Sequence, residues 1–230
     1  MEGLRIAGLA RLSTCDWPGR LVATVFCQGC PWSCGYCQNA DLIPPRGPAP
    51  LAWREVTALL RRRVGLLDAV VFSGGEPTMQ PALATAIDEV RALGFAVGLH
   101  TSGAYPDRLV PLLPLVDWVA LDIKAPASRY PAVTGRAASA ERAFASLAHV
   151  LASGVEHEVR TTIDPAVLDA TALAELADAL TAAGVRTFAA QRLLRRDPAT
   201  GIAVAAAEPP ADFLDTCAAR FPGFTYRSAR

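Results

Sequence analysis

The chain has 230 residues, 22 basic against 22 acidic side chains, and a formal net charge of zero. Its longest basic run is Arg61-Arg62-Arg63, which reads as a solvated helix end and gives neither a nucleic-acid footprint nor a polybasic membrane patch. Hydrophobic residues make up 52%, yet no window approaches about 18 uninterrupted apolar residues, which excludes a membrane-spanning helix from the expectation.

The opening Met1-Glu2-Gly3-Leu4-Arg5 lacks the layout of a signal sequence. Leu21 to Phe26 reads as a buried strand leading into a cysteine-rich loop, residues 27–39. A proline-rich stretch, Pro44 to Pro50, follows as a stiff loop, and Trp53 to Arg63 has helical spacing. Ala69 to Phe72 is a second strand, ending at Ser73-Gly74-Gly75-Glu76-Pro77. Leu83, Ile87, Val90 and Leu93 mark a helix that Gly94 stops. Phe95 to Leu99 is a third strand, followed by His100-Thr101-Ser102-Gly103 and a short helix near Asp107 to Leu113. Trp118 to Leu121 is a fourth strand, running into Asp122-Ile123-Lys124. The remainder alternates: helix at 140–152, strand at 157–162, helix at 168–183, strand at 186–193, a loop from Asp197 to Pro210, and a helix near 211–220. A short strand at Phe224 to Tyr226 ends the chain.

Repeated strand–helix alternation predicts an α/β fold with parallel strands and right-handed crossovers. Six units are too few for a closed eight-fold barrel, so the expected architecture is a partial (β/α)6 open barrel formed by one domain, residues 1–230. Function in such barrels sits at the carboxyl ends of the strands. That edge would gather Cys30, Cys34, Cys37, Gly74, Gly75, Glu76, Thr101, Asp122, Lys124, Arg160 and Gln191.

Cys30, Cys34 and Cys37 have the spacing CxxxCxxC. Four-iron clusters are usually held by four thiolates, so three leave one iron open to another ligand. Cys27 allows a second parsing as two CxxC pairs, but a zinc ribbon needs roughly 15–20 residues between its pairs, and only three intervene here. Crowded thiols without a secretory signal also do not form a secreted disulfide framework, and they point to the cytoplasm. Cys15, Cys27 and Cys217 lack the spacing of a second cluster, and Cys27 reads as a core residue at a strand end. Of the basic residues only Lys124 is a lysine, a compact point charge where every other cation is a planar guanidinium.

The chain resembles the radical S-adenosylmethionine (SAM) superfamily in its cysteine loop. It is similar to its activating-enzyme branch in Asp16-Trp17-Pro18-Gly19, Ser73-Gly74-Gly75-Glu76-Pro77-Thr78, Leu121-Asp122-Ile123-Lys124-Ala125-Pro126 with Tyr130 and Val133-Thr134-Gly135, and Arg160-Thr161-Thr162. Within that branch it looks like the anaerobic ribonucleoside-triphosphate reductase activating proteins. The resemblance implies one 4Fe–4S cluster on Cys30, Cys34 and Cys37, with SAM on the fourth iron. It assigns cofactor binding to Tyr36 against the adenine, and to Gly74, Gly75 and Thr101. Glu76 becomes an acceptor or structural anchor for the methionine ammonium. Lys124 and Arg160 lie at the SAM carboxylate, with Asp122 nearby. Asp16 would face a peptide substrate, or else serve as a turn residue.

Reductive cleavage of SAM would yield a 5′-deoxyadenosyl radical that takes hydrogen from a glycine of a partner, an anaerobic ribonucleotide reductase. A flavodoxin- or ferredoxin-type protein would donate the electron. Pyruvate formate-lyase activators, cousins of this family, carry an Asp where His100 stands, and a neutral imidazole cannot supply that charge to a monovalent cation. Three alternatives stand beside this reading: a strand-end ion pair of Arg160 with Glu158 or Asp164, a radical SAM enzyme acting on another peptide or small molecule, and a non-catalytic Fe–S or zinc module.

Overall fold

The computed structural model describes residues 3–196 and 202–228. Its elements follow in chain order as β1 (Ile6–Ser13), β2 (Val22–Cys27), α1 (Trp53–Arg61), β3 (Ala69–Gly74), α2 (Leu83–Ala92), β4 (Ala96–Thr101) and α3 (Pro106–Leu109). Then come β5 (Trp118–Asp122), α4 (Tyr130–Thr134), α5 (Ser139–Ser153), β6 (Glu156–Ile163), α6 (Ala170–Ala182), β7 (Thr187–Arg192), β8 (Leu194–Arg196), β9 (Ala203–Ala205), α7 (Ala211–Arg220) and β10 (Gly223–Arg227).

The main sheet runs β1-β2-β3-β4-β5-β6-β7-β10. All neighbours are parallel except β1, which is antiparallel to β2. The α/β class, the parallel strands and the open edge agree with the sequence expectation, and the predicted terminal strand, β10, joins as a seventh parallel member. Three features differ. β1 adds an antiparallel edge strand that the sequence pattern did not signal. Part of the segment expected to be a loop, 197–210, forms β9, which pairs antiparallel with β8 in a hairpin; residues 197–201 lie outside the described residues. The short helix expected near Asp107 to Leu113 is one α turn followed by a 3-10 stretch, Val110–Leu115. Pro111 and Pro114 lack the N–H groups a continuous α-helix needs.

Successive strand residues face opposite sides of the sheet. One side, with Val70, Phe72, Val97, Leu99, Val119 and Leu121, packs with the helices into the larger core. The other side, with Val22, Ala69, Val71, Trp118 and Ala120, surrounds Trp17. The ring of Trp17 stacks on Trp118 with centroids 5.1 Å apart and planes 12° off parallel. It lies so close to β4 that a Cβ on Gly98 would stand 2.9 Å from it. The Asp16-Trp17-Pro18-Gly19 segment therefore plugs the inner face of the curled sheet, and small residues at 69, 98 and 120 give it room.

Trp17→Ala is expected to cost about 3–5 kcal/mol, the range for a buried large-to-small substitution, read from urea unfolding. Trp17→Phe should lose less. A change within about 0.5 kcal/mol, as at surface positions, would contradict the plug.

Candidate active site

The cysteine loop leaves the end of β2 and is clamped from both neighbouring sides. Gly29 N–H donates to the Leu42 carbonyl at 2.8 Å and Cys30 N–H to that of Ile43 at 3.0 Å. From β3, Gly75 N–H donates to the Cys27 carbonyl at 2.9 Å and Glu76 N–H to the Gly29 carbonyl at 2.8 Å. A Cβ on Gly75 would lie 2.2 Å from that Gly29 oxygen, and one on Gly74, whose φ is +110°, would lie 2.4 Å from the Cys27 nitrogen. The two glycines line the cavity, but their missing side chains are required by the cysteine loop rather than by a ligand alone. From the β5 side, Ser33 N–H donates to the Thr134 carbonyl at 3.0 Å and Arg136 Nε–H to that of Pro31 at 3.2 Å. Trp32 is buried edge-on against Tyr130, centroids 5.9 Å apart. Tyr130 in turn accepts the Lys124 N–H at 3.1 Å. The Leu121–Pro126 and Tyr130–Gly135 segments thus hold the cysteine loop in place.

Cys30, Cys34 and Cys37 are half-buried and line a cavity of about 580 Å³ at the carboxyl ends of the strands. Ser73, Gly74, Gly75, Thr101, Asp122, Lys124, Arg160 and Gln191 line it too, so the expected rim, Glu76 excepted, shares one cavity. The loop carries no His, Asp or Glu between Cys27 and Asn39, which makes its donor set sulfur alone, the soft set that suits iron–sulfur clusters. Among the described residues no three His, Cys, Asp or Glu side chains converge on one point for a single ion. Burial pushes the Cys30 thiol up to about 12 and raises that of Cys34, so both are protonated until a metal displaces the proton. The Tyr36 hydroxyl is buried on the cavity wall without a hydrogen-bond partner, which leaves a polar atom for a bound molecule to satisfy. None of the six cysteines is in a disulfide; Cys27 and Cys217 are buried, and Cys15 is exposed at the cavity lip.

Lys124 is nearly buried, at 11% side-chain exposure, with Nζ 3.0 Å from Asp122 Oδ2 and 5.9 Å from the centre of the Tyr36 ring. Burial works against its charge, but the Asp122 carboxylate beside it outweighs burial and holds its pKa well above the usual lysine value. Arg160 is 7% exposed. Its Nε donates to Glu158 at 2.6 Å and its guanidinium sits 5.0 Å over Trp118. The ion pair with Glu158, weighed as an alternative, is therefore present, and Arg160 lines the cavity as well. Arg227 reaches the same carboxylate with two bonds of 2.8 Å. Glu158 thus holds two cavity arginines at once. Burial alone would raise its pKa, but the bonds from Arg227 and Arg160 bring it below the ordinary value.

Glu76 departs from the expected contact with bound methionine. It is 0% exposed and does not line the cavity. Its carboxylate accepts from Thr78 N and Oγ1, Thr101 Oγ1, and Ser102 N and Oγ, at 2.5–3.1 Å. Those five donors consume it, so Glu76 is the structural anchor that ties the β3 turn to the β4 turn. Asp16 also turns inward: its carboxylate accepts from Thr24 at 2.6 Å, and its carbonyl accepts from His100 Nε2 at 2.6 Å. A turn residue describes it better than one facing a substrate. Because that carbonyl can only accept, Nε2 carries the proton and Nδ1 accepts from Ser73 at 3.2 Å. The Arg160 guanidinium, 3.3 Å from Nε2, is then a repelling neighbour rather than a donor.

Sequence reasoning missed Arg192 and Arg227, which lie at strand ends in the cavity wall, and Gln28, whose buried amide donates to the Asp41 and Pro44 carbonyls. Arg227 pairs in register with Gln191, so the position of Gln191 on the rim was the signal that could have found it.

Burial, and then Arg160, lower the His100 pKa to about 4. An unfolded chain takes the proton near 6.5, so the native state binds fewer protons in between. His100 therefore contributes stability that is complete above about 6.5 and is lost as the pH falls toward the native value. Heteronuclear NMR should find this imidazole neutral at pH 6, with its titration near 4; a midpoint near the free-histidine value would contradict the buried network.

The family model described as the Radical SAM superfamily matches residues 24–183, well over half of the chain. The "Putative glycyl-radical enzyme activating enzyme MJ1227" of Methanocaldococcus jannaschii is 29% identical over 174 residues, covering 71% of this chain and 70% of that protein. The 7-carboxy-7-deazaguanine synthase of Thermococcus kodakarensis is 30% identical over 126 residues, 46% of this chain and 50% of the synthase. Streptococcus suis SuiB, solved bound to S-adenosylmethionine, superposes with a TM-score of 0.64 at 14% identity, covering 88% of this chain and 48% of SuiB. The chain thus spans about half the length of the latter two, and the last likeness is one of fold. On the match over residues 24–183, the chain belongs to the radical SAM superfamily, whose cofactors are a 4Fe–4S cluster and SAM.

Proposed function

We propose that this radical SAM enzyme is an activase that places a glycyl radical on a partner enzyme, an anaerobic ribonucleoside-triphosphate reductase. The observation that carries the reading is the similarity to the M. jannaschii protein over 71% of this chain and 70% of that one. The Asp16-Trp17-Pro18-Gly19 and Leu121–Pro126 segments, which carry the resemblance to the activases, add weight. Both are built into the site, the first through His100 and the second through Lys124 and Tyr130.

Cys30, Cys34 and Cys37 hold the cluster in this reading. Lys124 and Arg160 face the carboxylate of SAM as charge-assisted donors, each contributing about 1.5–3 kcal/mol. Both are restrained by acids: Asp122 holds Lys124, and Glu158 holds Arg160. Tyr36 lies against the adenine, with Thr101 and the backbone at Gly74 and Gly75 completing the wall. When bound, the cluster and SAM together supply reductive cleavage of a carbon–sulfur bond and a carbon radical able to take a hydrogen atom. The protein orients the reactants and keeps water from them. The electron would come from a flavodoxin- or ferredoxin-type donor.

The match to deazaguanine synthase favours a second reading, a radical SAM enzyme acting on a small molecule. The two separate on the substrate. Under anaerobic reconstitution with dithionite and SAM, the wild type should form 5′-deoxyadenosine and Cys34→Ala none; full turnover by that variant would overturn the cluster assignment. Mixed with the reductase, the wild type should leave a glycine-centred doublet in the electron paramagnetic resonance (EPR) spectrum. Turnover of SAM without that doublet would pass the case to the small-molecule reading.

A further inference from the structure

A cluster on Cys30, Cys34 and Cys37 must be given an electron, while SAM and the substrate occupy the cavity those thiols face. The electron therefore has to enter through the loop or the elements behind it. On the β3 side Gly75 and Glu76 cover the loop, Leu42 and Ile43 bind Gly29 and Cys30, and Trp32 is buried. The surface around Ser33 is different. Ser33 and Gly35, on either side of Cys34, are exposed. Cys34 lines the reaction cavity, but Pro31 and Ser33 do not. At Ser33 little more than the loop's own backbone stands between the Cys34 thiol and solvent.

The charge beside this thin wall is positive. The exposed Arg136 donates through Nε to the carbonyl of Pro31, the residue after Cys30, at 3.2 Å. Ser139 Oγ donates to the Arg136 carbonyl at 2.7 Å, which fixes Arg136 at the start of α5, where Arg142 is also exposed. Arg129 pairs with Asp169 at 3.4 Å. Among the described residues neither Arg136 nor Arg142 forms an ion pair with a carboxylate. Glu141 is the one acid from Ser128 to Arg142, and residues 30–40 carry none. Unpaired surface cations steer an anionic partner to the place where they stand.

We propose that an acidic one-electron carrier protein docks on this face, over Ser33 and Arg136, and delivers its electron through the loop. One electron leaves the carrier, which is oxidised, and the cluster takes it. The proposal rests on the reading that these three thiols hold the cluster, and it is independent of which substrate the radical attacks.

The test mixes photoreduced flavodoxin with the cluster-loaded protein and SAM under anaerobic conditions, and follows flavodoxin oxidation by stopped flow. The second-order rate of the wild type is expected to fall as salt rises, because exposed charges are screened. Arg142→Glu should slow it severalfold while leaving iron content and dithionite-driven 5′-deoxyadenosine formation unchanged, since dithionite needs no docking face. Arg136→Glu also loosens the loop, so it is read as the flavodoxin rate relative to the dithionite rate. That ratio should fall at least about tenfold, the lower end of what electrostatic steering supplies. Wild-type flavodoxin rates in Arg142→Glu with an unchanged ratio in Arg136→Glu, or a rate indifferent to salt, would overturn the docking face and leave the cluster standing. A wild type that forms no deoxyadenosine with dithionite would overturn the cluster reading and the docking face with it.

Discussion

The turn after β3 is the constraint on which the site depends. Its backbone passes so near the cysteine loop that neither Gly74 nor Gly75 can carry a side chain. Two of its amides hold that loop through the carbonyls of Cys27 and Gly29. Its one acid, Glu76, faces the other way and gathers five donors from its own turn and from Thr101 and Ser102. One short segment therefore fixes the thiols on one side and the β4 rim on the other. A buried carboxylate is costly unless fully hydrogen-bonded, so this arrangement has few alternatives once the glycines allow it.

The other half of the site is set by charge. Lys124 and Arg160 line the cavity, each paired with a carboxylate, and Arg227 shares Glu158 with Arg160. Pairing each cation lowers the cost of burying it while leaving positive potential toward the cavity. Beneath them, the stacked Trp17 and Trp118 fill the inner face of the sheet, and Arg160 rests on the latter. The plug therefore supports the cavity floor as well as the fold.

Much of this was legible in the sequence because the signals were local. Apolar strand runs ending in glycine or polar residues located the parallel strands and the rim that their ends share. The lone lysine was found by composition and does lie in the cavity. What escaped was tertiary in origin. β1 is an edge strand, half-exposed along most of its length, with Gly8 and two alanines that weaken the alternating pattern. β8 and β9 are three-residue strands, the second built of alanine and valine, and among the described residues they are paired only by each other. For Glu76 and Asp16 the sequence left two roles open, ligand or substrate contact against structural anchor or turn, because a motif gives the residue but not all the donors around it; Thr101 and Ser102 at the end of β4, and Thr24 on β2, decide for the structural role.

The central claim is that three thiols hold a four-iron cluster whose remaining iron is open to SAM. Low-temperature EPR of the reconstituted, reduced protein tests it most directly. The account predicts a reduced-cluster signal whose g-values shift when SAM is added. A signal indifferent to saturating SAM, or iron that does not assemble into a cluster, would contradict it.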